Sequence, residues 1–132
     1  MSEKEKIKKT TPILQCSIPC DGIGVPKELG GKPVLIGVFS RLLKPTTLPQ
    51  FFIFNRWING EGEYSQTITI LDPELKEFSK LPEQKFSLKS RVDSADLASA
   101  FVNLNFNKSG VYWVKIDLNE KTVLSYPFPV FG

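Results

Sequence analysis

The stretch that most constrains the fold lies near the end of the chain, at Asn107-Lys108-Ser109-Gly110-Val111-Tyr112-Trp113-Val114-Lys115-Ile116. A polar loop closes on a glycine, and two residues later a tyrosine enters a run of apolar/polar alternation. Period-2 alternation marks a strand with one face in a core. In antiparallel sandwiches a tyrosine so placed sits at the corner between two sheets, its ring in the core and its hydroxyl returned to loop backbone. An all-β, two-layer fold is therefore what the other segments have to meet.

They meet it through punctuation. Ten prolines and nine glycines break the 132 residues into short apolar runs rather than long helices, and one domain is the prior at this length. Pro12 to Pro19 reads as the first strand. Asp21 to Lys32 reads as a connection, with Gly30-Gly31 supplying a turn of positive φ. Pro33 to Ser40 follows, with Val34, Ile36 and Val38 on one face and Leu35 and Phe39 on the other. Gln50 to Asn59 is the most hydrophobic strand: Phe51, Ile53, Asn55 and Trp57 share one face, and Phe52, Phe54, Arg56 and Ile58 the other. A strand apolar on both faces is normally covered on both sides, whereas a two-layer sandwich leaves one side wet. The cover is either the protein's own loops and tail or another subunit or partner.

Asn59-Gly60-Glu61-Gly62 reads as a hairpin turn that returns Glu63 to Leu71 antiparallel, with Tyr64, Ile68 and Ile70 on one face. The interval from Leu75 to Leu97 reads as mostly irregular, because Leu81-Pro82 forbids a regular helix across it. Within it Lys85 to Ser90 is a candidate short strand, and Ser94 a candidate N-cap for one helical turn. Ala98 to Phe106 is expected to turn Ala100, Val102, Leu104 and Phe106 inward, and Gly110 to Leu118 to turn Tyr112, Val114, Ile116 and Leu118 inward. Thr122 to Phe131 closes the chain with Leu124, Tyr126, Phe128 and Val130 inward; Pro127 and Pro129, two missing donors at alternate positions, fit only an edge strand.

Charge and residue chemistry narrow the function by exclusion. Of the net charge of +3, most sits in residues 1–11, where four lysines face two glutamates. That segment, with one apolar residue, reads as a flexible charged tail, leaving residues 12–132 as the domain. The nearly neutral body offers no cluster of cations to displace counterions from nucleic acid. No run of apolar residues is long enough for a membrane span, and the charged N-terminus lacks a signal-peptide core, so cytoplasmic residence is the default expectation. The chain has no histidine, which removes Ser-His and Cys-His nucleophile pairs and histidine-ligated metals. Cys16 and Cys20, about 13 Å apart on an extended strand, lie beyond disulfide reach and fall short of a zinc site; free thiols are expected, with a turn at Ile18-Pro19 the route to a bridge. The sequence-near acid pairs Glu61/Glu63, Asp72/Glu74 and Asp93/Asp96 read as solvated turn carboxylates, since calcium wants six or more oxygens. No cofactor and no metal site is expected.

The order of features then becomes recognisable. Leu35-Ile36-Gly37-Val38-Phe39 follows a glycine turn, and Gly60-Glu61-Gly62-Glu63-Tyr64 precedes a strand ending in Leu71-Asp72-Pro73. Val102-Asn103-Leu104-Asn105-Phe106, Gly110-Val111-Tyr112 and Pro127-Phe128-Pro129-Val130 complete the series. Over residues 12–131 or so, the chain resembles a family of small, mostly bacterial proteins known only as a domain of unknown function. That resemblance implies an immunoglobulin-like sandwich and brings no catalytic residue with it. Against true immunoglobulin domains, Lys108 replaces the acid of the tyrosine corner and Val114 the disulfide cysteine.

The expected object is an antiparallel β-sandwich, immunoglobulin-like, of about seven strands. Its expected role is non-enzymatic: an intracellular interaction module that uses a sheet face or strand edge, with a protein partner or a second copy of itself. Trp113, Trp57, Phe52 and Phe54 are the candidate contact residues, since aromatics dominate binding hot spots. Two other classes stay open, a carbohydrate- or small-ligand-binding sandwich built around a tryptophan and a carboxylate-based hydrolase.

Overall fold

The alternating runs resolve, in a computed structural model that describes residues 11–132, into nine strands and a 3-10 turn at Lys27–Leu29. The tail expected over residues 1–11 lies outside the described residues apart from Thr11. The strands are β1 (Ile13–Gly24), β2 (Val34–Val38), β3 (Thr46–Ile58), β4 (Gly62–Leu71), β5 (Glu77–Lys80), β6 (Gln84–Leu88), β7 (Ser94–Phe106), β8 (Gly110–Leu118) and β9 (Lys121–Val130). One sheet has the order β2-β1-β3-β7; the other runs β5-β4-β8-β9, with β6 also pairing β4. The all-β antiparallel sandwich read from the sequence is what forms, with nine strands in place of about seven.

Alternation decides which side chains meet between the sheets. From β3 come Phe51, Ile53 and Trp57, from β4 Ile68 and Ile70, and from β8 Tyr112, Val114, Ile116 and Leu118, all buried. The rings interlock: Phe51 stacks on Phe101 at 5.1 Å between centroids, and Phe106 meets Tyr112 edge-on at 5.1 Å. Each fully buried aromatic or aliphatic side chain contributes about 1.5–3 kcal/mol, so this interior is the main source of stability. At the start of β8, Tyr112 donates its hydroxyl hydrogen to the Lys108 carbonyl at 3.1 Å. The corner expected from Gly110-Val111-Tyr112 is present. Gly110 itself has φ 142°, and a Cβ there would come within 2.7 Å of Pro73 Cγ.

The two prolines of β9 behave as read. Pro127 pairs with Trp113 and Pro129 with Val111 on the side of β8, and β9 ends its sheet. Its outer border is touched at one point, where the Leu42 N–H donates to Pro129 O and the Phe131 N–H to Leu42 O, both at 2.9 Å.

Four expectations need correction. The connection begins later than expected, because Asp21–Gly24 continues β1 and pairs with β2. Asn59-Gly60-Glu61-Gly62 is no hairpin: it carries the chain from one sheet to the other, and β3 and β4 are not partners. Asn-Gly supplies positive φ (63° at Asn59) wherever a sharp reversal is needed, and the Tyr64 hydroxyl clasps this one by donating to Glu61 O at 2.7 Å. The interval 75–97 is more regular than expected. Asp72–Lys76 turns the chain into β5 and β6, separated at Leu81-Pro82, and Ser94 opens β7 instead of capping a helical turn. In β7 the inward residues are Phe101, then Leu104 and Phe106, while Val102 is 57% exposed. The phase slips at Asn103, whose φ of 53° breaks the strict alternation on which Ala100 and Val102 had been placed inward.

Candidate interaction surface

Cross-strand partners share a face, so the registers define the outside of the four-stranded sheet. One row runs Val38–Cys20–Phe52–Ala100 across all four strands, and the next Ile18–Phe54–Ala98. Ile36 beside Gly22 and Val102 beside Gln50 extend the same face. At one end lies Cys16–Arg56–Asp96. There the Arg56 guanidinium forks onto the Asp96 carboxylate at 2.6 and 2.9 Å and lies 5.7 Å from the centre of the Phe54 ring. Asp96 in turn holds the guanidinium pKa above its usual value. The surface is thus an apolar sheet face bounded by one ion pair.

This geometry places the second apolar face of Gln50–Asn59 on the outside of the sheet. Phe54 and Cys20 are buried in the middle of the face, while Ile36 at 57%, Val38 at 61% and Val102 at 57% stand open at its margins. The described residues therefore leave both margins uncovered. Cys16 and Cys20 are free thiols on this face, and burial pushes both pKa values up, which disfavours the reactive thiolate.

The four sequence candidates do not converge. Phe52 and Phe54 share the face just described. Trp113 is half-buried on the outside of the other sheet, between its cross-strand neighbours Leu71 and Pro127. Val111 and Pro129 continue this apolar strip on one side, and the Lys115–Asp117 pair at 3.8 Å stands on the other. Trp57 has to be withdrawn as a contact residue, since it is fully buried between the sheets. Its indole N–H donates to Gln66 Oε1 at 2.8 Å, and Asn55 Nδ2 donates to the same oxygen at 3.0 Å. Gln66 Nε2 then donates to Gln84 Oε1 at 2.8 Å, as does the Ser99 hydroxyl. This buried amide chain ties the sheets together. Its signal was Asn55, a lone amide on the Phe51–Trp57 face. The margin residues Ile36, Val38 and Val102 have no signal in the alternation of a single strand; they form one surface only across the register.

Of the acid pairs, Asp72 and Asp93 serve the backbone. Asp72 Oδ1 accepts from the N–H groups of Glu74 and Lys76, both at 2.9 Å. Asp93 accepts from Lys89 and Ser94 N–H, which draws its pKa below the usual carboxylate value, and Asp96 is held by Arg56. A shallow cleft of about 440 Å³ runs along β4 and β6 past Glu63, Tyr64, Glu83 and Lys85. Among the described residues no three Cys, Asp or Glu side chains gather to hold a metal ion. No helix among them is long and apolar enough to cross a membrane.

A family model described as "Family of unknown function (DUF6941)" matches residues 15–131. No curated protein matches the chain significantly.

Proposed function

We propose, for a chain that belongs to the DUF6941 family of unknown function, a non-enzymatic role: an interaction module whose contact surface is the outer face of the β2-β1-β3-β7 sheet. One observation carries this reading, the row Val38–Cys20–Phe52–Ala100 with its open margins at Ile36, Val38 and Val102. Large apolar side chains left open on one face of a small protein are where another molecule can sit. An apolar centre with a charged pair at its border also has the anatomy of a protein–protein contact. The engagement of Asp72, Asp93 and Asp96 in turns and an ion pair argues for the binding role over carboxylate hydrolysis. The burial of Trp57 removes one platform for stacking a sugar.

The immunoglobulin-like character of the sandwich belongs to the same proposal. It is supported by β1-β3-β7 in one sheet, β4-β8-β9 in the other and a tyrosine corner opening β8, the arrangement that immunoglobulin domains use for their two sheets. A cytoplasmic site of action and a bacterial source are likewise proposed, from the sequence features and the resemblance alone.

The test is comparative capture from the native cell. Val38→Glu and Val102→Glu place charges on the open margins without touching the core, and each should lose the captured partner with little change in melting temperature. Trp113→Ala should keep it. Capture that survives both glutamates and fails with Trp113→Ala would move the contact surface to the other sheet.

A further inference from the structure

We infer that β2 pairs edge to edge with the β2 of a second copy, about a two-fold axis at Ile36, so that two four-stranded sheets join into one of twice the width. This rests on the reading of the same sheet as the contact surface. Among the described residues β2 ends its sheet and pairs only with β1. Just beyond it, Phe39 N–H donates to Pro19 O at 3.1 Å. Hydrogen bonding in an antiparallel pair alternates residue by residue. The register with β1 keeps its step on either side of the left-handed Gly37, from Cys20 opposite Val38 to Gly24 opposite Val34, so Leu35, in phase with Phe39, turns its backbone groups towards β1. Val34, Ile36 and Val38 turn theirs outward, and their side chains lie on the apolar outer face.

The outward residues read Val-Ile-Val from either end. A two-fold axis at Ile36 sets Ile36 against Ile36 of the second copy and Val34 against Val38 of the second copy, each pair exchanging both of its backbone hydrogen bonds. Leu35 falls opposite Gly37 of the second copy, where no side chain competes for room. Gly37 has φ 67°, and a Cβ there would collide with the Asp21 carboxylate, so that position holds glycine for local reasons too. The same axis sets Lys32 opposite Ser40 and Arg41 opposite Gly31, so no like charges face each other, which would be destabilising across a strand pair. This self-complementarity is what selects a second copy as the occupant.

The other edges are closed by the devices that proteins use against such pairing. β9 carries Pro127 and Pro129 and is bonded by Leu42. The β5–β6 border is interrupted at Pro82 and carries Lys80, Glu83 and Lys85. β7 carries the charged Asp96. β2 has neither proline nor charge between Val34 and Val38. A contact this short buries less than the roughly 1,200 Å² of a stable interface, so the dimer is expected to be weak and concentration-dependent.

The test uses the full chain. In a hydrogen-bonded antiparallel pair the facing Cα atoms lie about 5.5 Å apart, within disulfide reach. Ile36→Cys in a Cys16→Ser background should therefore cross-link to a dimer on mild oxidation, whereas Val102→Cys, equally exposed, should not. In sedimentation equilibrium the wild type should dimerise with concentration. Ile36→Pro, which removes an outward N–H and leaves the β1 ladder intact, should weaken dimerisation at least ten-fold; Ile36→Lys gives the same readout should the proline variant fail to fold. A wild type that stays monomeric, or a dimer indifferent to both substitutions, overturns the inference. If that happens while Val38→Glu and Val102→Glu still lose a captured partner, the sheet-face reading stands without the edge pairing. If the dimer behaves as described and capture ignores those glutamates, the edge pairing stands alone.

Discussion

Tyr112 and Tyr126 show how much a single hydroxyl can carry in this sandwich. The Tyr112 ring packs against Phe78 and Phe106, and its hydroxyl meets Lys108 O. Tyr112→Phe keeps the ring and should cost about 1 kcal/mol, the net worth of one hydrogen bond, in urea unfolding. Tyr112→Ala should cost about 3–5 kcal/mol by opening a cavity. Tyr126 reaches across the sandwich to Ser17 Oγ at 2.9 Å, and burial pushes its pKa from 10.0 up to about 12. The folded state thus holds this proton more tightly than the unfolded chain does. The associated stability is complete below pH 10 and falls as pH rises towards 12, by about 2–3 kcal/mol at most. Tyr126→Phe should flatten that alkaline limb of the stability curve. Gln66→Leu should be harsher than either, about 3 kcal/mol or more, because it leaves the Trp57 N–H and the Asn55 amide buried without their acceptor; thermal melting reads it directly.

At the scale of elements, the corner between Phe106 and β8 depends on Gly110 as well as on the tyrosine. Gly110→Ala forces a positive φ on a side-chain residue and drives Cβ into the Pro73 ring. It should destabilise by about 1–3 kcal/mol, with the loss seen as a lower urea midpoint at unchanged slope. Elements whose alternation is unbroken, such as Tyr112–Leu118 in β8 and Phe51–Trp57 in β3, were legible from the sequence because period 2 alone assigns their faces. The edge role of β9 was legible because proline has no N–H to give. What escaped reading has local physical causes. Asn103 flips the phase of β7 through a left-handed residue that any asparagine can adopt or decline. Asn59-Gly60 encodes a reversal but not which sheet the chain enters next. β5 and β6 are short, and their pairing with β4 is set by register, Thr69–Leu71 with Glu77–Lys80 and Gly62–Gln66 with Gln84–Leu88. Of the candidate surface, Phe52 and Phe54 were visible as the second apolar face of β3; its breadth needed the register that sets Val38, Cys20, Phe52 and Ala100 side by side.

At the scale of the whole molecule, the two outer faces differ. One is apolar from Ile36 to Val102 and ends, among the described residues, in an edge strand without a second partner; the other sets a half-buried Trp113 between Leu71 and Pro127, with Thr67, Thr69, Lys115 and Asp117 beyond them. Hydroxyl-radical footprinting of the protein inside its native cell, compared with the dilute purified protein, reads directly which face is covered. The account expects oxidation of Ile36, Val38 and Phe52 to fall in the cell while Trp113 is oxidised equally in both. Protection of Trp113 with Ile36, Val38 and Phe52 unchanged would contradict it.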